Sequence, residues 1–465
     1  MTPAQSPRAT LEALFAAALS AVDPAAAVAR AIERGPGEHG KLSIAGVPFA
    51  PECRFVVFAA GKAACAMAVA LEEQLGDRIA RGLAVTKDGH GLPLRSLVTL
   101  EAAHPVPDQR CERAAAQALA LARSVGPEEA FLVLLSGGAS ALLTAPAPGL
   151  RQEDLARTTE ALLAEGADIR ELNCVRKHLG TVSGGRLASQ VRGAPIVALV
   201  LSDVIGDRLD VIGSGPCTAD PTTFDDALAI LARRGLREKV PRGVLAHLEA
   251  GVEGKLSETP KPGNPALRRV VAQVVAGNGD ALEAARREAE RGGLRVVVAS
   301  RALAGEARTA GRRLVALARA LRTESPLVLL AGGETTVTVR GRGRGGRSQE
   351  LALAAALAME DLPGIALLVA GTDGSDGATD AAGAYVDGST VARGRAFGLN
   401  AAQALLENDS YGFFAREGGT FRTGPTRTNV MDLVLLMRDS LRENVSTAFL
   451  RATRGRSADR PSSER

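Results

Sequence analysis

The sequence predicts an α/β protein with mainly parallel sheets, built as two domains. Three observations predict it. First, short unbroken aliphatic runs recur along the chain: "RFVVFAA" (54–60), "AFLVLL" (130–135), "PIVALVLSDV" (195–204), "RRVVAQVVAG" (268–277), "LRVVVAS" (294–300), "SPLVLLAGG" (325–333) and "GIALLVAGTDG" (364–374). Such runs, free of polar alternation, suit strands buried on both faces. Second, Ala/Leu-rich stretches with helical spacing separate them, and strands alternating with helices stack as α/β layers. Third, 465 residues exceed one ordinary core. The Gly-, Pro- and charge-rich break "GVEGKLSETPKPGNP" (251–265) parts the chain into domains 1–255 and 266–440. A basic tail, 441–465, ends in "RATRGRSADRPSSER" and lacks apolar periodicity, so disorder is expected there.

Composition narrows the function. Apolar residues make up 46 % and charged residues 23 %, an ordinary balance for a globular protein. A net charge of +4 is small for this length, and aromatics are only 3 % with no Trp. Nucleic acid as a partner is therefore not expected, since its binders concentrate positive charge and stacking surfaces. The five cysteines lack C-x-x-C spacing, which reads as reduced usage without a zinc site. No apolar run reaches the length of a membrane span, so no membrane association is expected. Near the N-terminus, "LEALFAAALSAV" could pass for a signal peptide. Glu12 interrupts it, however, and Leu11, Leu14, Phe15, Leu19 and Val22 follow helical spacing. An amphipathic first helix and a cytoplasmic location are the expectation.

Ligands of open α/β sheets bind at the carboxyl ends of strands, and five strand ends carry polar chemistry. In "FAAGKAACAM", Gly61 permits a tight turn and Lys62 opens a helix. With seven lysines against forty-nine arginines, a lysine at this point stands out as a partner for phosphate or carboxylate. It is not a Walker A loop, because Val56 stands where the leading Gly belongs and Ala63 follows the lysine. In "LLSGGASALL", Ser136, Gly137, Gly138 and Ser140 lie between strand and helix, where backbone N–H groups and the helix dipole can receive an anion. In "LSDVIGDRLDVIGSGP", Asp203 closes a strand, Asp207 and Asp210 follow, and Ser214 sits in a Gly-rich turn. A carboxylate there can hold Mg²⁺ together with phosphate oxygens or accept a hydroxyl proton; the residues leave both open. Glu334 ends "LLAGGE", ahead of an alternating strand "TTVTVR". Asp373, Asp376 and Asp380 crowd the turn "GTDGSDGATDAAGA". A calcium loop is excluded there, since the twelfth position holds Ala384 instead of Glu.

The stretch "GRGRGGRSQEL" (341–351) admits three readings. As an RGG segment it is too short and lacks aromatics. As a dinucleotide fingerprint, Gly341, Gly343 and Gly346 spell G-x-G-x-x-G. But the preceding run alternates Thr with Val, and Asp373 comes too late to serve the ribose. The third reading is a loop that places Arg347 at a helix entry, where its fork can grip carboxylate or phosphate. Arg342 and Arg344 are then solvated, or helpers at the edge of the cleft.

Together, "AAGKAACAM", "LLSGGASALL", "LNCVRKHLGTVSGGRLA", "LSDVIGDRLDVIGSGP", "AGGETTVTV", "GGRSQELAL", "AGTDGSDGATDAAGA" and "GPTRTNVMDL" occur in an order that resembles the class II glycerate 2-kinases. This family is also called MOFRL and was formerly labelled hydroxypyruvate reductase. The resemblance spans roughly residues 8–437. It implies two α/β domains, the first Rossmann-like and the second mixed, with the active site in the cleft between them. It implies transfer of phosphate from ATP, with Mg²⁺, to the 2-hydroxyl of D-glycerate by a monomer or homodimer. Lys62 and Arg347 match the family's catalytic lysine and arginine, and Asp203 joins them as base or metal ligand. Ser136, Gly137, Gly138, Ser140 and Ser214 would bind nucleotide phosphates. Asp207, Glu334, Glu350, Asp373 and Asp376 would lie near substrate or metal, with Asp203 or Asp373 holding Mg²⁺. Ser348 replaces the family's usual Asn. The rival enzyme class is an NAD(P)H-dependent hydroxypyruvate reductase.

Overall fold

The structure, a computed structural model, describes residues 6–35, 41–321 and 325–439. The chain divides into two compact units. Among the described residues, one holds those of 21–277 and Arg427–Val430; the other holds those up to Ser20, those of 278–426 and those from Met431 on.

The first unit opens with a small antiparallel sheet of β1 (Ile32–Arg34), β2 (Leu42–Ile44) and β3 (Val47–Phe49). Six strands then form its main sheet: β4 (Arg54–Ala60), β5 (Ile79–Lys87), β6 (Leu97–Ala102), β7 (Glu129–Leu135), β8 (Ile196–Leu201) and β9 (Val270–Ala276). All neighbours are parallel, in the order β6-β5-β4-β7-β8-β9. Numbered within the sheet this is 3-2-1-4-5-6, the Rossmann order. The aliphatic runs explain it: β4, β7 and β8 are almost wholly buried and take the centre, whereas β9 alternates and takes an edge. The order reverses between β4 and β7, so their carboxyl ends flank the crevice where such sheets bind ligands.

Two features move the predicted boundary. β9 pairs with β8 along its length, so the strand expected to open the second domain closes the first sheet. The change between units falls at Gly277/Asn278 rather than in 256–265, because backbone pairing outweighs a surface break rich in Gly and Pro. The first helix, Pro7–Ala21, buries Leu11, Leu14, Phe15 and Ala18 as its spacing predicts. Its residues up to Ser20 belong to the other unit, where Phe15 meets Phe421 edge to face, centroids 5.4 Å apart. The expectation for the tail, 441–465, lies outside the described residues.

Helices Gln152–Ala164, Ile169–Leu179, Phe224–Arg233 and Arg242–Val252 enclose a further core around Leu162, Val175, Leu231 and Leu248. Within this layer the Asp220 carboxylate is fully buried. It accepts hydrogen bonds from Thr222 N–H (3.1 Å), Thr222 Oγ1 (2.7 Å) and Thr259 Oγ1 (3.0 Å), with Lys177 Nζ at 3.5 Å. Burial alone would raise its pKa; Lys177 and the Thr222 bonds outweigh burial and hold it below the ordinary range. Burial pushes the neighbouring His178 below its ordinary value of 6.5. Both groups thus bind fewer protons folded than unfolded in acid, so both cost stability as pH falls. The His178 contribution starts to disappear below about 6.5, that of Asp220 only in stronger acid. We expect urea unfolding to show a loss of stability from pH 7 to pH 5 that shrinks in His178→Gln. An equal loss in both proteins would refute this.

The second unit is built on a mixed sheet. Its strands are β10 (Arg295–Leu303), β11 (Leu327–Gly333), β12 (Ile365–Gly371), β13 (Gly383–Asp387), β14 (Thr420–Phe421) and β15 (Asp432–Arg438). The order is β10-β11-β15-β12-β13-β14, parallel only between β10 and β11. Helix Arg347–Ala358 is buried continuously from Ser348 to Ala356. The expected strand "TTVTVR" does not form. β11 is already paired on both sides, so this segment keeps one bridge, Thr336 to Glu306, and leaves Val339 74 % exposed.

Candidate active site

In the first unit the switch point is stitched by three hydrogen bonds. Ser136 N–H donates to Ala60 O (3.0 Å), Lys62 N–H to Gly137 O (2.8 Å), and Ala63 N–H to Ser136 Oγ (3.0 Å). The β4 and β7 loops are therefore one object. Gly61 makes it possible: its φ is +125°, and a Cβ there would lie 2.3 Å from Ser136 Oγ and 2.4 Å from Ser136 O. The Ser136 hydroxyl, expected to meet phosphate, instead accepts from the Lys62 turn. The helix after the Ser-Gly-Gly loop is also shorter than expected, only Ala139–Leu142. Its dipole is correspondingly small, and the loop depends on side chains for its charge.

Those side chains crowd around the two glycines. A Cβ on Gly137 would lie 2.1 Å from Asp203 Oδ2 and 2.9 Å from Asn429 Nδ2. A Cβ on Gly138 would lie 3.0 Å from His104 Nε2 and 3.4 Å from Lys62 Cγ. Asn429 Nδ2 donates to Asp203 Oδ2 at 3.3 Å. Lys62, the Ser136–Gly138 loop and Asp203 are thus brought together. Ser140 and Ser214 join hydroxyl to hydroxyl at 2.8 Å beside the loop. Asp207 is exposed, and its Oδ1 lies 3.0 Å from where Gly277 would carry a Cβ. His104 and Asn429 were not singled out from the sequence. His104 is held neutral, its pKa pushed down to about 4 by burial first and then by Lys62, Lys87 and His90.

In the second unit Arg347 begins its helix and is enclosed by acids. Nε donates to Asp432 Oδ2 (2.6 Å), Nη2 to Asp432 Oδ1 (3.0 Å), and Nη1 to Glu334 Oε1. Burial raises the Asp432 carboxyl to about 6 against the pull of Arg347, helped by Asp376 and Glu334. Burial would lower Arg347, but the bond to Asp432 and the surrounding carboxylates raise it, so it stays charged. Asp376 is 3 % exposed and caps the helix, accepting from Ser348 N–H (2.9 Å) and Gln349 N–H (2.8 Å). Glu350 is buried between Arg308 Nε (2.6 Å) and Asn408 Nδ2 (2.9 Å). Asp373 accepts from Ser375 N–H and Oγ, both at 3.0 Å. Its Oδ1 and that of Asp432 each lie 3.4 Å from the Cβ position of Gly371. Asp432 was also missed, although it ends the quoted "GPTRTNVMD".

The literal G-x-G-x-x-G has a packing explanation. Cβ atoms on Gly341, Gly343 and Gly346 would strike Glu407, Asp409 and Asp376, all within 2.2–2.3 Å. These glycines let the loop pack closely on its neighbours. The turn after β4, where a dinucleotide fingerprint belongs, reads "GKAA".

A parallel sheet in Rossmann order, with a lysine and a glycine pair at its switch point, defines an α/β enzyme that handles anionic ligands. Family models match at residues 10–249 (Domain of unknown function, DUF4147) and 327–432 (MOFRL family). Glycerate 2-kinase of Pyrococcus horikoshii is 41 % identical over 92 % of this chain and 97 % of its own. D-glycerate 2-kinase of Thermotoga maritima is 42 % identical over 82 % and 90 %. The crystal structure of glycerate kinase from Thermotoga maritima superposes with a TM-score of 0.80 at 38 % identity, covering 93 % of this chain and 100 % of that one. The chain belongs to the MOFRL glycerate 2-kinase family.

Proposed function

We propose that the protein transfers the γ-phosphoryl group of ATP to the 2-hydroxyl of D-glycerate, giving 2-phosphoglycerate and ADP. The observation that carries this reading is the convergence of Lys62, His104 and Asp203 on the Gly137–Gly138 backbone at the switch point. In phosphoryl transfer the protein chiefly positions reactants and neutralises charge. Lys62 supplies a cation beside the loop, while His104, neutral, can offer one hydrogen bond. Asp203 takes the proton of the attacking hydroxyl as the oxygen–phosphorus bond forms and ADP departs. Asn429 orients the Asp203 carboxylate. Arg347 binds an anionic group, carboxylate or phosphoryl.

Among the described residues no three His, Cys, Asp or Glu side chains form a metal-binding group. Mg²⁺ takes one or two carboxylates and fills its shell with phosphate oxygens and water. Asp203 or Asp373 would hold it, and it would neutralise phosphate charge. Free cysteines throughout support a reducing, cytoplasmic setting; among the described residues no single helix is long and apolar enough to cross a membrane.

The test is purified protein with Mg-ATP and D-glycerate, read by coupling to enolase, which accepts 2-phosphoglycerate directly. Enolase-dependent signal is expected. Phosphoglycerate that needs a mutase before enolase responds would overturn the regiochemistry. NADH consumption with hydroxypyruvate and no phosphoglycerate would replace the kinase by the reductase.

A further inference from the structure

Arg347 is held by two carboxylates of unequal standing. Asp432 is 6 % exposed and grips the Nε–Nη2 edge with both oxygens. It cannot move easily. It opens β15, which is paired on both sides, to Gly333 of β11 and Gly371 of β12. Its own carbonyl accepts from Asn278 Nδ2 at 3.2 Å. Glu334 differs in every respect. It follows β11 in a loop, its side chain is 47 % exposed, and it touches only the remaining nitrogen, Nη1. Asp376, the third acid that Arg347 feels, is committed to the helix N–H groups.

We propose that Asp432 is a positioning residue that fixes the plane of Arg347, and that Glu334 is an internal stand-in for the anionic substrate. Glu334 occupies Nη1 until a substrate oxygen displaces it into water. The exchange is one anionic oxygen for another on the same N–H donor, so no proton or bond is left unbalanced. The incoming oxygen belongs to the glycerate carboxylate or to a phosphoryl group of ATP, and the two KM values tell them apart. This inference rests on the reading that Arg347 binds an anion in the reaction.

The experiment measures kcat and both KM values for wild type, Glu334→Gln, Asp432→Asn and Arg347→Ala. Glu334→Gln should lower one KM by roughly 3- to 10-fold with kcat nearly unchanged, the sign of a lost competitor rather than a lost contact. Asp432→Asn should lower kcat by on the order of 100-fold with small changes in KM, the signature of lost preorganisation. Added guanidinium should restore activity to Arg347→Ala, but not to Arg347→Ala/Asp432→Asn, because Asp432, releasing its proton as the cation binds, offers the two oxygens that orient it. A raised or unchanged pair of KM values in Glu334→Gln would overturn the stand-in role. Equal rescue in both backgrounds would overturn the positioning role, and Asp432→Glu provides a second, charge-retaining variant should Asp432→Asn fold poorly. Full turnover by Arg347→Ala would instead remove the underlying reading of Arg347.

Discussion

Arg347→Ala is expected to lower kcat/KM by on the order of 10³-fold, the scale of losing a cation that stabilises transferring phosphoryl charge. Lys62→Ala should fall in the same range. The argument for Arg347 is its geometry: a guanidinium fixed along one edge by a buried carboxylate and paired at Nη1 with the half-exposed Glu334. Stability should suffer less than activity. Breaking a buried ion pair costs about 3–5 kcal/mol when the remaining charge stays buried and ionised. Asp432 has an escape, because burial already holds its pKa at about 6. Without Arg347 it takes a proton instead of remaining a stranded anion. Steady-state kinetics and thermal unfolding check both halves. A loss of under tenfold, or collapse of the fold, would show that Arg347 is structural.

Gly61→Ala is expected to abolish activity and to destabilise the first unit. The added Cβ meets backbone as well as side chain, at 2.4 Å from Ser136 O and 2.8 Å from Ser136 C. Neither can swing aside, since Ser136 N–H is tied to Ala60 and its Oγ to Ala63. Overpacking costs about 1–3 kcal/mol, and holding a non-glycine residue at this φ adds about 1–3 kcal/mol more. Relief comes only by parting the β4 and β7 loops, which moves Lys62 off the glycine pair. The check is activity with thermal melting, set against Lys62→Ala. Lys62→Ala should lose activity with little change in melting temperature, whereas Gly61→Ala should lose both. A Gly61→Ala protein as active as wild type would show that the two loops need no fixed register.

Much of the fold was legible because its signals are local. Unbroken aliphatic runs marked the central strands, and the residues that end them, Gly61-Lys62, Ser136–Gly138 and Asp203, gather where parallel strands deliver them. What stayed hidden depends on long-range order. His104 follows β6 and reaches Gly138 only because that strand lies on the same sheet as β7. Asn429 meets Asp203 from 226 positions away, and Asp432 meets Arg347 from 85. No periodicity records such distances. Glu350 and Asp376 were expected near substrate or metal, and the structure makes them a buried ion-pair partner and a helix cap. That distinction depends on which donors face them. The alternating Thr/Val text of 335–340 promised a strand, and failed because β11, the strand it follows, is already paired on both sides.

The tetrapeptide Arg427–Val430 carries a consequence for how the gene can be rearranged. It belongs to the first unit although the sequence places it near the end. There Thr428 Oγ1 donates to Val22 O at 2.8 Å, and Asn429 reaches Asp203. The start of the chain makes the reverse loan, since residues up to Ser20 belong to the second unit. Each unit is thus completed by a fragment distant from it in the sequence. Swapping halves between related genes at the midpoint would exchange mismatched fragments along with them. A split version expressed as two polypeptides would leave each product without a piece of its own architecture.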